Sequence, residues 1–354
     1  MDITKIDENF KLASVTRTDI TWYDAEELWL YGVFYDTERG FYTRMPHEIA
    51  KSVSAGVEYL AENPAGGRVR FQTDSPFLAI KCVSATPAIT GNGSTPLCSA
   101  FSIYAGDLYC GMASPSMEQR ADSKDGLIFY DGIRNLPQGE KQVCVFFPLY
   151  NKVKKVYIGV QNGAKLLPPK PYTHQKPVVF YGSSITQGGC ASRAGNDYIS
   201  MLSRWLDLDF INLGFSGSAR GEREMIDYLA TLDASVFVMD YDHNAPTAEH
   251  LQATHYPLYE ALRTAHPDMP IIMMTKPDVD LDLACSAKRR KVIEKSYRKA
   301  KRNGDTNVYY INGATLFGKD DRSACTVDGC HPTELGFYRM AKKLKPLLQK
   351  LLTK

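Results

Sequence analysis

The sequence predicts two folded parts, an all-β sandwich or jelly roll followed by a doubly wound α/β domain. In the N-terminal half, short apolar runs are separated by turn residues. A proline-rich segment interrupts the chain near residue 166, and beyond it apolar runs alternate with helical patterns. Closely spaced short strands indicate a sandwich or barrel, whereas alternating strands and helices indicate a parallel sheet.

The N-terminal part, residues 1–165, has the strand pattern. Its clearest apolar runs are bounded by Gly, Pro, Asn, Asp and Ser, which favour turns. These runs are Val69–Gln72, Leu78–Val83, Ala100–Tyr104, Gly126–Tyr130, Val143–Phe147 and Val156–Val160. We therefore expect a β-sandwich of jelly-roll type in this part of the chain.

A linker is predicted at residues 166–176. Prolines disfavour both a helix and a central strand. Those in and just after this segment are Pro168, Pro169, Pro171 and Pro177. We expect a stiff connection that ends where the next strand begins.

The C-terminal part, residues 177–354, alternates between strand and helix patterns. Strands are expected at Pro177–Tyr181, Phe210–Leu213, Val236–Asp240, Ile271–Thr275 and Val308–Ile311. Helices are expected at Asp197–Leu206, Glu222–Leu232, Ala248–Ala265, Ser286–Arg302 and Glu334–Leu352. Ligands of such sheets bind beyond the carboxyl ends of the strands, so we expect the functional site there.

The charge of the chain favours no particular partner, since the net charge is +2 over 354 residues. The stretch Lys288–Arg302 contains nine Lys or Arg residues. Val292, Ile293 and Tyr297 recur in it at helical spacing, which favours a solvated helix face over a nucleic-acid-binding surface. No run of about 18 apolar residues exists, so we expect no membrane span. The sequence makes no prediction of oligomeric state.

The N-terminus and the cysteines indicate where in the cell the protein is expected. The first ten residues, MDITKIDENF, lack the apolar core of a signal peptide. The eight cysteines contain no CxxC pair, so we expect reduced, buried thiols rather than a zinc ribbon. A cytoplasmic protein is expected, and the alternative is a chain that begins after a removed signal peptide.

Two short segments contain a candidate nucleophile and its base. Ser184 lies in GSSITQG, directly after the first strand of the α/β part. His331 lies in DGCHP before the last helix, and Asp328 precedes it by three residues. An imidazole can take the proton of a serine hydroxyl, and a carboxylate can orient the imidazole. Each segment by itself also fits a simple turn.

Candidate oxyanion donors follow the next two strands. Gly217 lies in NLGFSG and Asn244 in DYDHN. The backbone N–H groups of Ser184 and Gly217, with the Asn244 amide, could stabilise a tetrahedral intermediate. Taken singly, both Gly217 and Asn244 are also typical of turns.

Together these segments resemble the four blocks of the SGNH (GDSL-like) hydrolases. The resemblance implies a flavodoxin-like sheet of five parallel strands and a serine esterase with Ser184 as nucleophile, His331 as base and Asp328 as the orienting acid. The longer stretches GSSITQGGCASRAG and INLGFSGSARGE are similar to one branch, which carries an N-terminal β-domain with a GxDLY motif. The motif here reads YAGDLY, from Tyr104 to Tyr109, with Ala105 in place of the first glycine.

The sequence departs from the broad family at two further places. Ser183 replaces the aspartate that precedes the nucleophile, and Asp242-His243-Asn244 replaces the usual Gly-x-Asn-Asp run. Members of the similar branch are mostly carbohydrate esterases that act on O-acetyl groups. We therefore expect deacetylation of xylan or mannan fragments, with a small acetylated carbohydrate as partner and without any cofactor or metal. The alternatives are a short-chain acyl or aryl esterase and a non-catalytic carbohydrate-binding protein.

Three further features carry weaker hypotheses. Arg193, after the nucleophile, is a candidate for substrate binding or for a surface ion pair. Cys330 is interpreted as a small hydrophobic residue, since no nearby cation is evident to activate its thiol. A metal held by Asp240, Asp242 and His243 is disfavoured, because no matching cluster of His or Cys ligands accompanies them.

Overall fold

The computed structural model describes residues 14–86 and 94–353. The expectation that the N-terminus lacks a signal peptide concerns residues 1–10, which lie outside the described residues. Within the described part of the chain, no helix is both long and apolar enough to span a membrane.

The N-terminal part is an antiparallel β-sandwich. Its strands are β1 (Ile20–Asp24), β2 (Leu30–Tyr31), β3 (Phe34–Asp36), β4 (Phe41–Thr43), β5 (Arg68–Thr73), β6 (Phe77–Ala85), β7 (Phe101–Ala105), β8 (Leu108–Ala113), β9 (Leu127–Asn135), β10 (Lys141–Phe146), β11 (Val153–Gln161) and β12 (Leu166–Leu167). One sheet has the order β1-β11-β6-β9, and the other has the order β12-β5-β10-β7-β8, with β2 also paired to β5. The strands β3 and β4 form a separate two-stranded sheet. Alternate side chains of the two sheets, such as Phe71 and Ile80, are fully buried in a shared core.

The N-terminal part also contains short helices: α1 (His47–Val53), α2 (Ala55–Ala61), α3 (Thr95–Ser99) and α4 (Met117–Ala121). The pair α1–α2 was not expected from the sequence. Val57 and Leu60 of this pair belong to the hydrophobic core that lies under the α/β sheet. This helical pair therefore packs with the C-terminal part of the chain.

The C-terminal part is a parallel sheet with helices between its strands. Its elements are β13 (His174–Gly182), α5 (Ser184–Gln187), α6 (Tyr198–Leu206), β14 (Leu208–Gly214), α7 (Arg223–Leu229), β15 (Val236–Asp240), α8 (Ala248–Ala265), β16 (Ile271–Met274), α9 (Leu283–Arg302), β17 (Val308–Ile311) and α10 (Glu334–Leu352). The strand order is β14-β13-β15-β16-β17, and all pairs are parallel. This is the flavodoxin-like order, so the predicted fold class is confirmed.

The predicted linker, residues 166–176, contributes residues to a sheet of the sandwich and to the parallel sheet of the C-terminal part. Leu166 and Leu167 pair with β5, and β13 begins at His174 rather than at Pro177. The division of the chain into two domains at this segment stays a prediction. The eight cysteines are all free thiols, but the expectation that they are buried holds only for Cys82, Cys98 and Cys325. Cys285 is exposed, and the other four are partly exposed.

Candidate active site

Ser184 lies at the carboxyl edge of the central strand β13. The turn from β13 into α5 leaves no room for a side chain at Gly182, because a Cβ atom there would lie 2.0 Å from Thr186 Oγ1. The hydroxyl of Ser183 accepts a hydrogen bond from the backbone N–H of Ile185 at 3.2 Å and so caps α5. Ser184 is the first residue of this helix and is partly exposed.

The structure brings Ser184, His331 and Asp328 into one hydrogen-bonded chain. Ser184 Oγ lies 2.8 Å from His331 Nε2, and His331 Nδ1 lies 2.7 Å from Asp328 Oδ2. The other carboxylate oxygen of Asp328 accepts the backbone N–H groups of Cys330 and His331 at 3.0 and 2.7 Å. The loop before α10 therefore holds the imidazole and the carboxylate in the orientation that activation of a serine requires.

Asp328 and His331 each favour the charged form of the other. Partial burial disfavours the Asp328 carboxylate, but hydrogen bonds from His331 and from the backbone outweigh it and lower the pKa of Asp328 to about 2. Contact with Cys330, together with the hydrogen bond to Asp328, raises the pKa of His331 to about 9 in spite of desolvation. Asp328 is thus ionised and stabilises an imidazolium at His331.

Two of the candidate oxyanion residues, Gly217 and Asn244, lie in the segments that follow β14 and β15. Gly217 is exposed and has a φ of +65°, in the left-handed region that favours glycine. The Asn244 amide donates a hydrogen bond to the Phe215 carbonyl at 2.7 Å. An amide nitrogen carries two hydrogens, so one remains for a substrate oxygen. The oxyanion roles of Ser184, Gly217 and Asn244 stay predictions.

Contacts that were not predicted from the sequence hold the loop carrying Gly217. The side-chain oxygen of Gln187, Oε1, accepts hydrogen bonds from the backbone N–H and the hydroxyl of Ser216, at 3.1 and 3.0 Å. The Gln187 amide donates to the Leu149 carbonyl at 3.1 Å, and the Tyr150 hydroxyl lies 2.8 Å from the Ser216 hydroxyl. Gln187 belongs to the GSSITQG segment, but no sequence signal identifies Leu149 or Tyr150.

Arg44, a residue of the N-terminal part, contacts the end of β14. Its guanidinium is buried and donates hydrogen bonds to the carbonyls of Asn212 and Gly214, at 3.0 and 2.7 Å, and to Leu60 at 2.7 Å. Three backbone acceptors offset much of the cost of burying this charge, while the buried Arg44 Nε has no hydrogen-bond partner within the described part of the chain. The strand end that precedes Gly217 is therefore fixed by the N-terminal part.

Arg193 contacts the YAGDLY motif. Its guanidinium donates a hydrogen bond to the Tyr104 hydroxyl at 2.7 Å and lies 3.6 Å from the centre of the Tyr109 ring. These contacts join the loop after the nucleophile to the sandwich. A substrate-binding role for Arg193 stays a prediction.

The side chains of Asp240, Asp242 and His243 do not gather around a common point. Asp240 accepts hydrogen bonds from Thr186 and Tyr198, at 2.8 and 2.9 Å. Asp242 is paired with Arg289 at 2.8 Å and accepts the backbone N–H of Lys276 at 2.9 Å. Each aspartate is thus occupied by its own partners.

His243 instead faces Asp278 and Cys330. Its Nε2 atom lies 2.5 Å from Asp278 Oδ1 and 3.7 Å from Cys330 Sγ. Burial disfavours the Cys330 thiolate, but contacts with His243 and His331 outweigh it and lower the pKa of the thiol to about 7. The interpretation of Cys330 as a small hydrophobic residue is therefore wrong, because two imidazoles lie beside its sulfur atom.

Comparison with known proteins identifies both parts of the chain. Residues 175–349 match the GDSL-like lipase/acylhydrolase family, and residues 20–166 match the GxDLY domain, the N-terminus of SGNH-hydrolase-type esterases. No curated protein matches the chain significantly.

Several solved structures share the whole architecture. A GDSL-like lipase candidate from Bacteroides ovatus ATCC 8483 is 29% identical, with a TM-score of 0.82 over 94% of this chain and 98% of its own. The salicylyl-acyltransferase SsfX3 of a tetracycline biosynthetic pathway is 21% identical, with a TM-score of 0.70 over 96% and 97%. A family two carbohydrate esterase from Clostridium thermocellum, in complex with cellohexaose, is 15% identical, with a TM-score of 0.58 over 82% and 93%.

A serine–histidine–aspartate chain at the carboxyl edge of a doubly wound sheet is the arrangement found in serine hydrolases. The chain belongs to the SGNH, or GDSL-like, hydrolases, in the branch with a GxDLY-type N-terminal domain. The class of reaction is therefore acyl-ester chemistry, that of an esterase or acyltransferase.

Proposed function

We propose that the protein is a serine esterase that removes acetyl groups from O-acetylated oligosaccharides, such as xylan or mannan fragments, through a Ser184 acyl-enzyme. The observation that carries the proposal is the 2.8 Å contact between Ser184 Oγ and His331 Nε2, with Asp328 behind the imidazole. A nucleophile, a base and an orienting acid are the groups that acyl transfer to serine needs.

The reaction proceeds in two acyl transfers. His331 Nε2 takes the hydroxyl proton as Ser184 Oγ attacks the acetyl carbonyl, and N–H donors of Ser184, Gly217 and Asn244 stabilise the oxyanion. The C–O bond to the sugar breaks, and the leaving alcohol receives the proton from His331. Water then attacks the acetyl-enzyme with His331 as base, and acetate leaves as Ser184 regains its proton.

Two observations support a small acyl group on a polar alcohol. Polar side chains lie near the nucleophile, since the Tyr150 hydroxyl lies 3.4 Å from the Ser184 carbonyl oxygen and 2.8 Å from the Ser216 hydroxyl. Several solved structures with this fold are carbohydrate esterases, among them the family two enzyme from Clostridium thermocellum. A sugar hydroxyl is a leaving group that suits such surroundings.

One feature favours the second candidate, a short-chain acyl or aryl esterase without sugar preference. Leu281 is 80% exposed. Its side chain lies against the catalytic loop, because a Cβ atom on Gly329 would be 2.5 Å from Leu281 Cδ1. An apolar alcohol group of an ester could contact this leucine.

Hydrolysis assays test the proposal. Acetate release from acetylated xylan and acetylated mannan is measured beside turnover of p-nitrophenyl acetate, butyrate and octanoate. We expect acetyl to be preferred over the longer acyl groups, and the polysaccharide acetates to be cleaved at a higher kcat/KM than the aryl acetate. The reverse order of kcat/KM would favour the aryl esterase.

A variant pair tests the role of the nucleophile. We expect Ser184→Ala to lose at least about a thousandfold in kcat. Ser52→Ala, an exposed serine of α1, is the matched control and should retain full activity. Full turnover in Ser184→Ala would refute the acyl-enzyme. Retained oligosaccharide binding with no turnover of any ester by the unmodified protein would instead support the non-catalytic alternative.

A further inference from the structure

A cluster of metal-ligating side chains lies beside the catalytic base and takes no part in the proposed reaction. It consists of His243, Asp278 and Cys330. The ligand atoms of the three residues all lie within 4.8 Å of one another. Within the cluster, His243 Nε2 is 2.5 Å from Asp278 Oδ1 and 3.7 Å from Cys330 Sγ.

Three separate segments bring these residues together. His243 follows β15 in a single turn of 3-10 helix, Asp278 follows the neighbouring strand β16, and Cys330 belongs to the catalytic loop. The carboxyl ends of adjacent parallel strands meet at the same edge of the sheet, so the first two segments converge by topology. The side chain of Asp278 is only 6% exposed, and Lys276 Nζ lies 3.3 Å from its second oxygen. The carboxylate therefore already lies beside His243 before any ligand binds.

The donor atoms are of the kinds that zinc prefers. Zinc in proteins is bound by imidazole nitrogen, thiolate sulfur and carboxylate oxygen in tetrahedral geometry. Cysteine binds metals as the thiolate, and an imidazole 3.7 Å from the Cys330 sulfur favours that form. Three protein ligands leave one tetrahedral position for water.

The distances fit a tetrahedral ion after a small movement. Ordinary zinc–ligand bond lengths place a bound nitrogen and sulfur about 3.6 Å apart, and a bound nitrogen and oxygen about 3.3 Å apart. The nitrogen–sulfur distance in the cluster is 3.7 Å. The nitrogen–oxygen distance is 2.5 Å, so the Asp278 carboxylate needs to retreat by roughly 0.8 Å to exchange its hydrogen bond for a metal bond.

We propose that His243, Asp278 and Cys330 form a binding site for a zinc-class divalent cation, and that an ion bound there slows ester hydrolysis. Cys330 directly precedes His331 in the chain and contacts its imidazole. A cation that holds the Cys330 sulfur draws it away from the base and shifts the loop that positions His331. The ion is an inhibitor bound beside the active site and has no part in the acyl transfer.

Cobalt titration of the full-length protein tests the site without any ester. Co²⁺ is added under reducing, oxygen-free conditions while the absorption spectrum is recorded. We expect one Co²⁺ per chain, with a thiolate-to-metal charge-transfer band in the near ultraviolet and intense visible bands of tetrahedral cobalt, and we expect Zn²⁺ to displace it. A spectrum without the charge-transfer band would overturn the site.

Variants assign the ligands. Cys330→Ser should lose the charge-transfer band, and His243→Gln and Asp278→Asn should each weaken cobalt binding at least about tenfold. Cys190→Ser and Cys285→Ser are the matched controls, and both should keep the spectrum. Cys190 belongs to a neighbouring group with Asp328 and His331, so loss of the band in Cys190→Ser alone would place the metal there and overturn the proposal.

Inhibition by Zn²⁺ tests the link to catalysis. Each variant is compared with its own metal-free rate of p-nitrophenyl acetate hydrolysis. We expect the concentration of Zn²⁺ that halves the rate to be at least about tenfold higher for Cys330→Ser than for the unmodified protein, a change of about 1.4 kcal/mol. Equal inhibition of both would show that zinc acts elsewhere. The inhibition rests on the proposed esterase function, whereas the metal site does not. Cobalt bound by a protein that is inactive on every ester would therefore leave the site standing and refute both the esterase and the inhibition.

Discussion

The hydroxyl of Tyr150, a residue of the N-terminal part, lies 2.8 Å from the hydroxyl of Ser216. Ser216 lies in the loop that follows β14. Ser216 donates in turn to the Gln187 side chain at 3.0 Å. Gln187 is the last residue of α5, which begins with Ser184. Burial raises the pKa of Tyr150, so the side chain stays a neutral phenol that can donate. A residue of the N-terminal part therefore holds the two segments that carry the nucleophile and Gly217.

Removal of the Tyr150 hydroxyl should impair catalysis more than binding. In Tyr150→Phe the ring remains while the hydrogen bond to Ser216 is lost, which is worth about 1 kcal/mol. We expect kcat for p-nitrophenyl acetate to fall about fivefold, with a smaller change in KM. Tyr157→Phe is the control, since Tyr157 is a partly exposed tyrosine on the other sheet of the sandwich. Unchanged kinetics in Tyr150→Phe would show that Gln187 alone suffices to hold the loop.

The Asp328 carboxylate should determine which nitrogen of His331 carries the proton. In Asp328→Asn the side-chain carbonyl can still accept the two backbone N–H groups, but the amide then faces His331 Nδ1. An amide N–H at that position favours the wrong imidazole tautomer, so we expect kcat to fall about a thousandfold or more. Asp227→Asn makes the same change in an exposed pair on α7 and should leave kcat within about twofold. A comparable kcat in Asp328→Asn and Asp227→Asn would contradict the role of Asp328.

The Asn244 amide should stabilise the transition state rather than the bound substrate. We expect Asn244→Ala to lower kcat about a hundredfold, with little change in KM, as for loss of one oxyanion donor. Asn303→Ala is the control, because Asn303 donates to the Tyr256 hydroxyl on the surface, away from the site. An increase in KM at constant kcat would assign Asn244 to substrate binding instead.

The buried Asp240 carboxyl should make stability depend on pH. Desolvation raises its pKa to about 7, although Thr186 and Tyr198 donate hydrogen bonds to it and His243 lies nearby. Between about pH 4 and pH 7 the unfolded chain ionises this group and the folded chain does not. The stability that the group contributes is therefore complete below about pH 4 and is lost as the pH rises to 7.

The Asn variant removes this dependence. We expect the free energy of unfolding of Asp240→Asn to rise relative to that of the unmodified protein from pH 4 to pH 7, by at most about 1.4 kcal/mol per pH unit. Urea unfolding in metal-free buffer at several pH values measures the difference, and a constant offset from the altered hydrogen bonds does not affect its slope. Parallel pH curves for the two proteins would contradict the raised pKa of Asp240.

Most of the α/β domain could be predicted from its sequence, because its patterns are local. The strands Val236–Asp240 and Val308–Ile311 and the helices Ala248–Ala265 and Glu334–Leu352 have the predicted bounds. The helices α1 and α2 were missed, since each has seven residues, too few to show a clear period. Their apolar side chains are stabilised by packing against the other half of the chain.

The hydrogen-bonded chain of Ser184, His331 and Asp328 joins residues that the sequence also pairs, because each lies in a short motif after a strand or before the last helix. Gly217 and Asn244 follow strand ends in the same way, and their roles stay predictions. Gly182 is a further local feature, since the turn before the nucleophile leaves no space for a side chain. No local sequence pattern predicts the contacts that Arg44, Tyr150 and Arg193 make.

The sequence alone determines the order of strands and helices along the chain. It also determines which types of residue stand at their ends. Hydrophobic periodicity and turn residues act over a few neighbours and can be identified along the chain. Tertiary structure decided which distant side chains face one another. Tyr150 meets Ser216 across 66 positions and Cys330 meets His243 across 87, and only the packing of the sandwich and the sheet brings these pairs together. A hydrogen-bond partner depends on that long-range packing, for which a local pattern contains no information.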